Sequence, residues 1–260
     1  MTDSPVEIER RGDVAVLTID NPPVNLWDDE LAGALGAALE ELEESTPRAL
    51  LIRFEGRVVS GGVDVSQFRR AGSTDAAAEL FDFLLTFTER LEALRCPTVF
   101  AAHALTLTWA FELALACDLI VAADDCSFGL VEARIGLTPT MGGTQRLAAR
   151  AGDGRARELV MLAELVPAGQ LHSWGVINRL AEASEVADVA LEIAVRLAEG
   201  PTAAHMATRA IVRATRDHGV AAADAITVGI ASDLFETDDL HSGVESFLTD
   251  GPGHATFEGH

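Results

Sequence analysis

Ala104-Leu105-Thr106-Leu107-Thr108-Trp109-Ala110-Phe111-Glu112-Leu113-Ala114-Leu115-Ala116, followed by Ser127-Phe128-Gly129-Leu130-Val131-Glu132 and Gly142-Gly143-Thr144-Gln145-Arg146, is the stretch around which this chain is organised. It sets two lone carboxylates, Glu112 and Glu132, among apolar and glycine-rich neighbours. Residues 109–116 read as a short, almost wholly apolar helix, in which an unpaired carboxylate would be costly to bury. Glu132 falls in a loop-like segment that runs through Gly136 and Pro139 to the glycine pair. Apolar surroundings raise a carboxyl pKa, which suits general acid and base work near neutrality. The same spacing also fits a structural assignment, in which Glu112 pairs with an arginine and Glu132 is a solvated loop residue.

Outward from this stretch, β-rich and helical patterns alternate. Residues 14–20 read as a strand ended by Asn21-Pro22-Pro23. Asp28 then caps an amphipathic helix to about Glu44, with Leu31, Leu35, Leu39 and Leu42 at helical spacing. Residues 49–54 form the next strand and feed the glycine-bearing loop 55–64, where backbone N–H groups can face an anion. A helix over about 75–94 carries Leu80, Phe83, Leu84, Phe87, Leu91 and Leu94 on one expected core face. Strands follow at 98–102 and 117–123, so right-handed βαβ units and a mainly parallel sheet are expected. Beyond Gly152 the pattern is helical, at 155–163, 168–173, 186–198, about 201–217 and 221–235, with a short strand at 176–180. Residues 251–254 read as a flexible end.

With 260 residues and 48% hydrophobic content, the chain can bury a substantial core. The formal charge of -22 disfavours nucleic acid or an anionic membrane as partner. All 19 basic residues are arginines. Cys96, Cys117 and Cys126 form no CxxC pair and no histidines cluster at ligand spacing, so neither a disulfide framework nor a metal site is expected. No apolar run approaches the ~20 residues of a membrane span, and Met1-Thr2-Asp3-Ser4-Pro5 carries no signal pattern. These features read as a reduced, cytoplasmic protein.

The run from Pro97 to Asp118 resembles the signature of the enoyl-CoA hydratase/isomerase (crotonase) superfamily. Ser127-Phe128-Gly129, Glu132, Gly136, Pro139 and Gly142-Gly143-Thr144-Gln145-Arg146-Leu147 continue that pattern, and Ser60-Gly61-Gly62-Val63-Asp64 is similar to its upstream glycine loop. The resemblance implies an α/β fold with a crotonase-like ββα spiral core, expected over 1–200, and a helical C-terminal trimerisation region with the tail over 201–260. It implies an acyl-CoA or enoyl-CoA thioester as partner, a homotrimer or dimer of trimers, and no cofactor, since coenzyme A is part of the substrate.

Carried over residue by residue, the resemblance makes Glu112 and Glu132 the acid/base pair and the N–H groups of Val63 and Trp109 the oxyanion donors. Substrate contacts are expected at Val24, Leu26, Arg57, Ser60, Gly62, Asp64, Val65, Val131 and Pro139. Both glutamates are present, which favours a hydratase. An isomerase, an acyl-CoA hydrolase and a non-catalytic acyl-CoA binder are the alternatives on the same fold. Two departures stand out. The triplet Thr108-Trp109-Ala110 replaces the usual glycines, so the indole is expected to line the acyl pocket, or else to pack in the core. Thr249-Asp250-Gly251 stands where a basic residue often meets coenzyme A.

Overall fold

Pairing begins upstream of the first expected strand. In this computed structural model, which describes residues 4–260, β1 (Val6–Arg11) and β2 (Val14–Ile19) form an antiparallel hairpin. Gly12 turns the corner with a φ of +61°, a region glycine enters without steric cost. The capped helix follows as expected: Asp28 accepts the N–H of Leu31 at 2.8 Å, and α1 (Asp29–Glu44) buries Leu31, Leu35, Leu39 and Leu42. Each such leucine contributes ~1.5–3 kcal/mol relative to an exposed one.

β3 (Ala49–Phe54) leads to the glycine loop, then α2 (Ser66–Ala71) and α3 (Thr74–Ala93). Leu84, Phe87 and Leu91 of α3 are buried, but Phe83 is not. It is 48% exposed and packs edge-on against Phe87, so the apolar stripe is narrower than its spacing suggested. β4 (Thr98–Ala102), β5 (Thr106–Leu107), α4 (Trp109–Ala116), β6 (Leu119–Ala123) and β7 (Ser127–Gly129) complete the central region.

A helix sequence reading passed over, α5 (Gly143–Ala151), precedes α6 (Asp153–Leu162), β8 (Val166–Pro167) and α7 (Ala168–Ser173). The strand expected at 176–180 is β9 (Arg179–Ala181), displaced because Asn178 anchors the approach, its Oδ1 accepting the N–H of Ile120 at 2.9 Å. The main sheet runs in the order β1-β2-β3-β4-β6-β9, parallel throughout except for the first hairpin. The second sheet, β5-β7-β8, carries the segment leading into α4. α8 (Val186–Ala198) lies over β3, β4 and β6 through Val186, Ala190, Ala194 and Ala198. One small residue per turn lets that helix approach the sheet closely. Mixed α/β architecture and C-terminal helices thus match the expected fold class.

The expected boundary near residue 200 falls between α8 and α9 (Thr202–His218), which is followed by α10 (Val220–Asp233) and a further helix not anticipated, α11 (Asp238–Asp250). α9 is fastened by polar contacts rather than by a buried face. Arg209 donates to Asp118 Oδ1 at 2.8 Å and to the carbonyl of Cys96 at 2.8 Å, and Arg216 donates to Glu92 at 2.6 Å. The tail is not free, contrary to expectation. Buried Asp239 accepts the N–H groups of Glu258 and Gly259 at 2.7 and 2.9 Å, and Arg48 donates to the carbonyl of Phe257 at 3.0 Å. Cys96, Cys117 and Cys126 are free, buried thiols, each held well above its ordinary pKa mainly by burial.

Candidate active site

The turn into α4 determines what its first residues can do. Thr108, just before the helix, has φ +49° and ψ −119°, a conformation costing a β-branched residue ~1–3 kcal/mol. Its N–H donates to Gly129 and its carbonyl accepts the N–H of Glu112, both at 2.9 Å. Trp109 is the first helical residue, and its N–H has no acceptor among the described residues, as helix starts leave theirs. The N–H of Val63 likewise has none, although the backbone around it is fixed: Trp27 N–H donates to Gly62 and Asp64 N–H to Trp27, both at 3.0 Å.

Glu112 is 2% exposed. Its Oε2 accepts two backbone N–H groups, from Met141 at 2.8 Å and Gly143 at 2.7 Å. The nearby arginine does not pair with it. Arg146 instead donates to Glu92 at 2.8 Å and to the carbonyl of Gly142 at 3.3 Å, steadying the turn that carries the two N–H donors. The glycine pair follows from this crowding. A Cβ on Gly143 would come within 2.6 Å of Glu112 Cγ, and one on Gly142, where φ is +87°, would overlap the Arg146 guanidinium. Burial raises the Glu92 carboxyl, but Arg146 and Arg216 outweigh it and hold the group below its ordinary value.

Glu132 is not a solvated loop residue. It opens a 3-10 turn (Glu132–Ile135), is 9% exposed, and its Oε2 is buried without a partner among the described residues. Burial pushes its pKa up to about 7. Glu112 is pushed up to about 8, first by burial and then by the charge of Glu132, against the pull of the Gly143 and Met141 N–H groups and of Arg146. Two carboxyls so placed share roughly one proton near neutrality.

Both line one cavity of about 220 Å³, together with Gly62, Val63, Val65, Trp109 and Val131. Of the other expected contacts, Ser60 is buried and accepts the N–H of Gly62 at 2.9 Å, supporting the loop from behind. Asp64 accepts from the backbone and hydroxyl of Ser66, which holds its carboxyl low. Val24, through its carbonyl, fixes Gly61 at 2.7 Å. Leu26, Arg57 and Pro139 also lie outside the lining, Arg57 on the surface. The apolar walls that sequence reading missed are Trp27, Phe68, Leu84, Ile135, Leu137 and Met141. They come from four separate segments, around residues 27, 68, 84 and 135–141, so no single local pattern collects them.

Trp109 borders the cavity, but its side chain belongs to the core. It is 0% exposed, its Nε1 donates to the carbonyl of Asn25 at 3.2 Å, and it packs against Trp27 and Phe54 at 5.3 and 5.7 Å between ring centroids. The expectation that the indole forms the acyl pocket therefore gives way to the core alternative. Among the described residues, no three His, Cys, Asp or Glu side chains group as metal ligands, and no helix is long and apolar enough to cross a membrane.

The profile of the family described as "Enoyl-CoA hydratase/isomerase" matches residues 9–257. The chain is 28% identical to a Bacillus subtilis protein named "Probable enoyl-CoA hydratase", over 90% of this chain and 92% of that one. It is 28% identical to a short-chain-enoyl-CoA hydratase of Clostridium acetobutylicum, covering 94% of each. Among solved structures, an enoyl-CoA hydratase from Polaromonas sp. JS666 superposes with a TM-score of 0.87 at 25% identity, over 94% of this chain and 96% of the other.

Proposed function

The chain belongs to the enoyl-CoA hydratase/isomerase family, and from that premise we propose that it is a hydratase, adding water across the 2,3 double bond of an enoyl-CoA thioester. The observation that carries this reading is the pair of buried carboxyls, Glu112 and Glu132, facing one mainly apolar cavity. The N–H groups of Val63 and Trp109 bind the thioester oxygen and stabilise the enolate as charge moves onto it. The ionised carboxyl takes a proton from water while the water oxygen bonds to C3. The protonated partner delivers a proton to C2. No cofactor is needed beyond the coenzyme A that the substrate carries. Arg57, exposed on the surface, meets the coenzyme A phosphates, with Val24 and Leu26 beside them. Three reduced, buried thiols fit a cytoplasmic setting.

Mixing the purified protein with crotonyl-CoA and longer 2-enoyl-CoAs and following the enone absorbance tests the reading; absorbance that stays constant with every chain length overturns it. The expected pH dependence follows from the shared proton. kcat/KM peaks between about 7 and about 8, because below that window both carboxyls are protonated and above it both are ionised. A pH–rate profile that is flat from 6 to 9 contradicts the acid/base assignment.

Assembly is expected to be a trimer or a dimer of trimers. α9 buries none of its residues and α10 only Ala223, while Val212, Val228, Phe235, Phe247 and Leu248 are exposed. Apolar helix faces of this kind call for a covering surface. Light scattering at micromolar concentration should give at least three times the monomer mass, and a monomer would refute it.

A further inference from the structure

Thr108 has three properties that its place before α4 does not require. Its backbone sits at positive φ, where glycine is the unstrained choice. Its hydroxyl is buried, at 6% residue exposure, with no hydrogen-bond partner among the described residues. It also lines the cavity that holds Glu112 and Glu132. An orphaned hydroxyl costs free energy and a strained backbone adds to that cost, so the two together in a catalytic cavity ask for a ligand that satisfies them.

The surroundings say which ligand atom that is. Thr108 is bonded directly to Trp109, one proposed oxyanion donor. Across the cavity wall its Oγ1 lies 3.6 Å from where a Cβ on Gly62 would stand, and Gly62 immediately precedes Val63, the other donor. The hydroxyl thus belongs to the residue that precedes one donor and packs against the residue that precedes the other, in the same cavity. A serine or threonine hydroxyl rotates to suit its partner and can donate to an oxygen that gains charge.

We propose that the Thr108 hydroxyl is a third donor to the thioester oxygen, joining the N–H groups of Val63 and Trp109. The proposal rests on the hydratase reading for its consequence in turnover, but not for the contact itself. When the thioester binds, the oxygen accepts from three donors, and the unpaired Thr108 hydroxyl gains its missing partner. As the enolate forms, the charge-assisted bond strengthens, so the residue acts in the transition state more than in the ground state.

The test compares Thr108→Val, which keeps the shape and loses the hydroxyl, with Thr108→Ser, which keeps the hydroxyl. Difference infrared spectroscopy of bound butyryl-CoA, a saturated thioester that cannot be hydrated, labelled with ¹³C at the thioester carbonyl, reads the contact without turnover. The parent and Thr108→Ser should show a carbonyl band displaced to lower frequency than in Thr108→Val. In hydration, Thr108→Val should lose on the order of 10-fold in kcat/KM, mostly in kcat, with Thr108→Ser close to the parent. Should the valine variant fail to fold, Thr108→Gly removes the hydroxyl and the backbone strain together, and should be more thermally stable than the parent while showing the same band as expected for valine. A carbonyl band identical in parent and hydroxyl-less variants overturns the proposal, whatever turnover does. A parent that shows the displaced band but no hydration overturns the hydratase reading and supports the contact.

Discussion

Glu112→Gln and Glu132→Gln should each lower hydration turnover by on the order of 10²-fold or more while the fold persists, because each removes one half of a proton-sharing pair. The glutamine is nearly isosteric, and at position 112 its amide oxygen can still accept from the N–H groups of Met141 and Gly143. Both variants hydrating at the parental rate would sink the assignment. The same substitutions carry a stability signature of opposite sign. The folded pKa of Glu132 is raised from 4.5 to about 7, so its contribution is fully present below 4.5 and lost as pH rises through 7. At about 1.4 kcal/mol per pKa unit, the parent should lose a few kcal/mol between pH 5 and 8.5. Glu132→Gln cannot ionise and should lose less. Melting curves at the two pH values, with circular dichroism confirming an unchanged fold, separate this from a general pH effect.

Trp109→Gly should destabilise the protein by ~3–5 kcal/mol, the range for emptying a large aromatic site in a packed core. The indole fills space between Trp27 and Phe54 and satisfies the carbonyl of Asn25, so its loss leaves both a cavity and an unpaired acceptor. The proposed oxyanion donor at this position is a backbone N–H and is retained. The ranking of kcat/KM across enoyl-CoAs of four to sixteen carbons should therefore stay as in the parent. A changed ranking with little loss of melting temperature would return the indole to the acyl pocket. Val65, Phe68, Leu84, Ile135 and Leu137 remain as apolar walls of the same cavity.

Much of the fold was legible because its signals are local. Asp28 and the leucines of α1, the helical pattern at 186–198, and the β-branched strands 14–20, 49–54 and 98–102 each report their own geometry within one element. So did the isolation of Glu112 in an apolar helix. What periodicity could not give was anything that depends on a distant partner. Phe83 has the spacing of a core residue, yet its depth depends on what covers α3. Residues 251–254 read as a free end, yet Asp239 and Arg48 hold the segment just beyond them, at 257–259. Whether Glu112 meets an arginine or two backbone N–H groups depends on the turn at Met141–Gly143 and on Glu92, 54 residues before Arg146, which draws that arginine away. Trp109 could face the cavity or the core, and only the positions of Asn25, Trp27 and Phe54 decide. The sequence alone therefore determined most of the central strands and helices, though not β1, α5 or α11, together with the family resemblance and the two carboxyls. Tertiary structure decided their environment, because burial, pairing and pKa belong to groups brought together from separate parts of the chain.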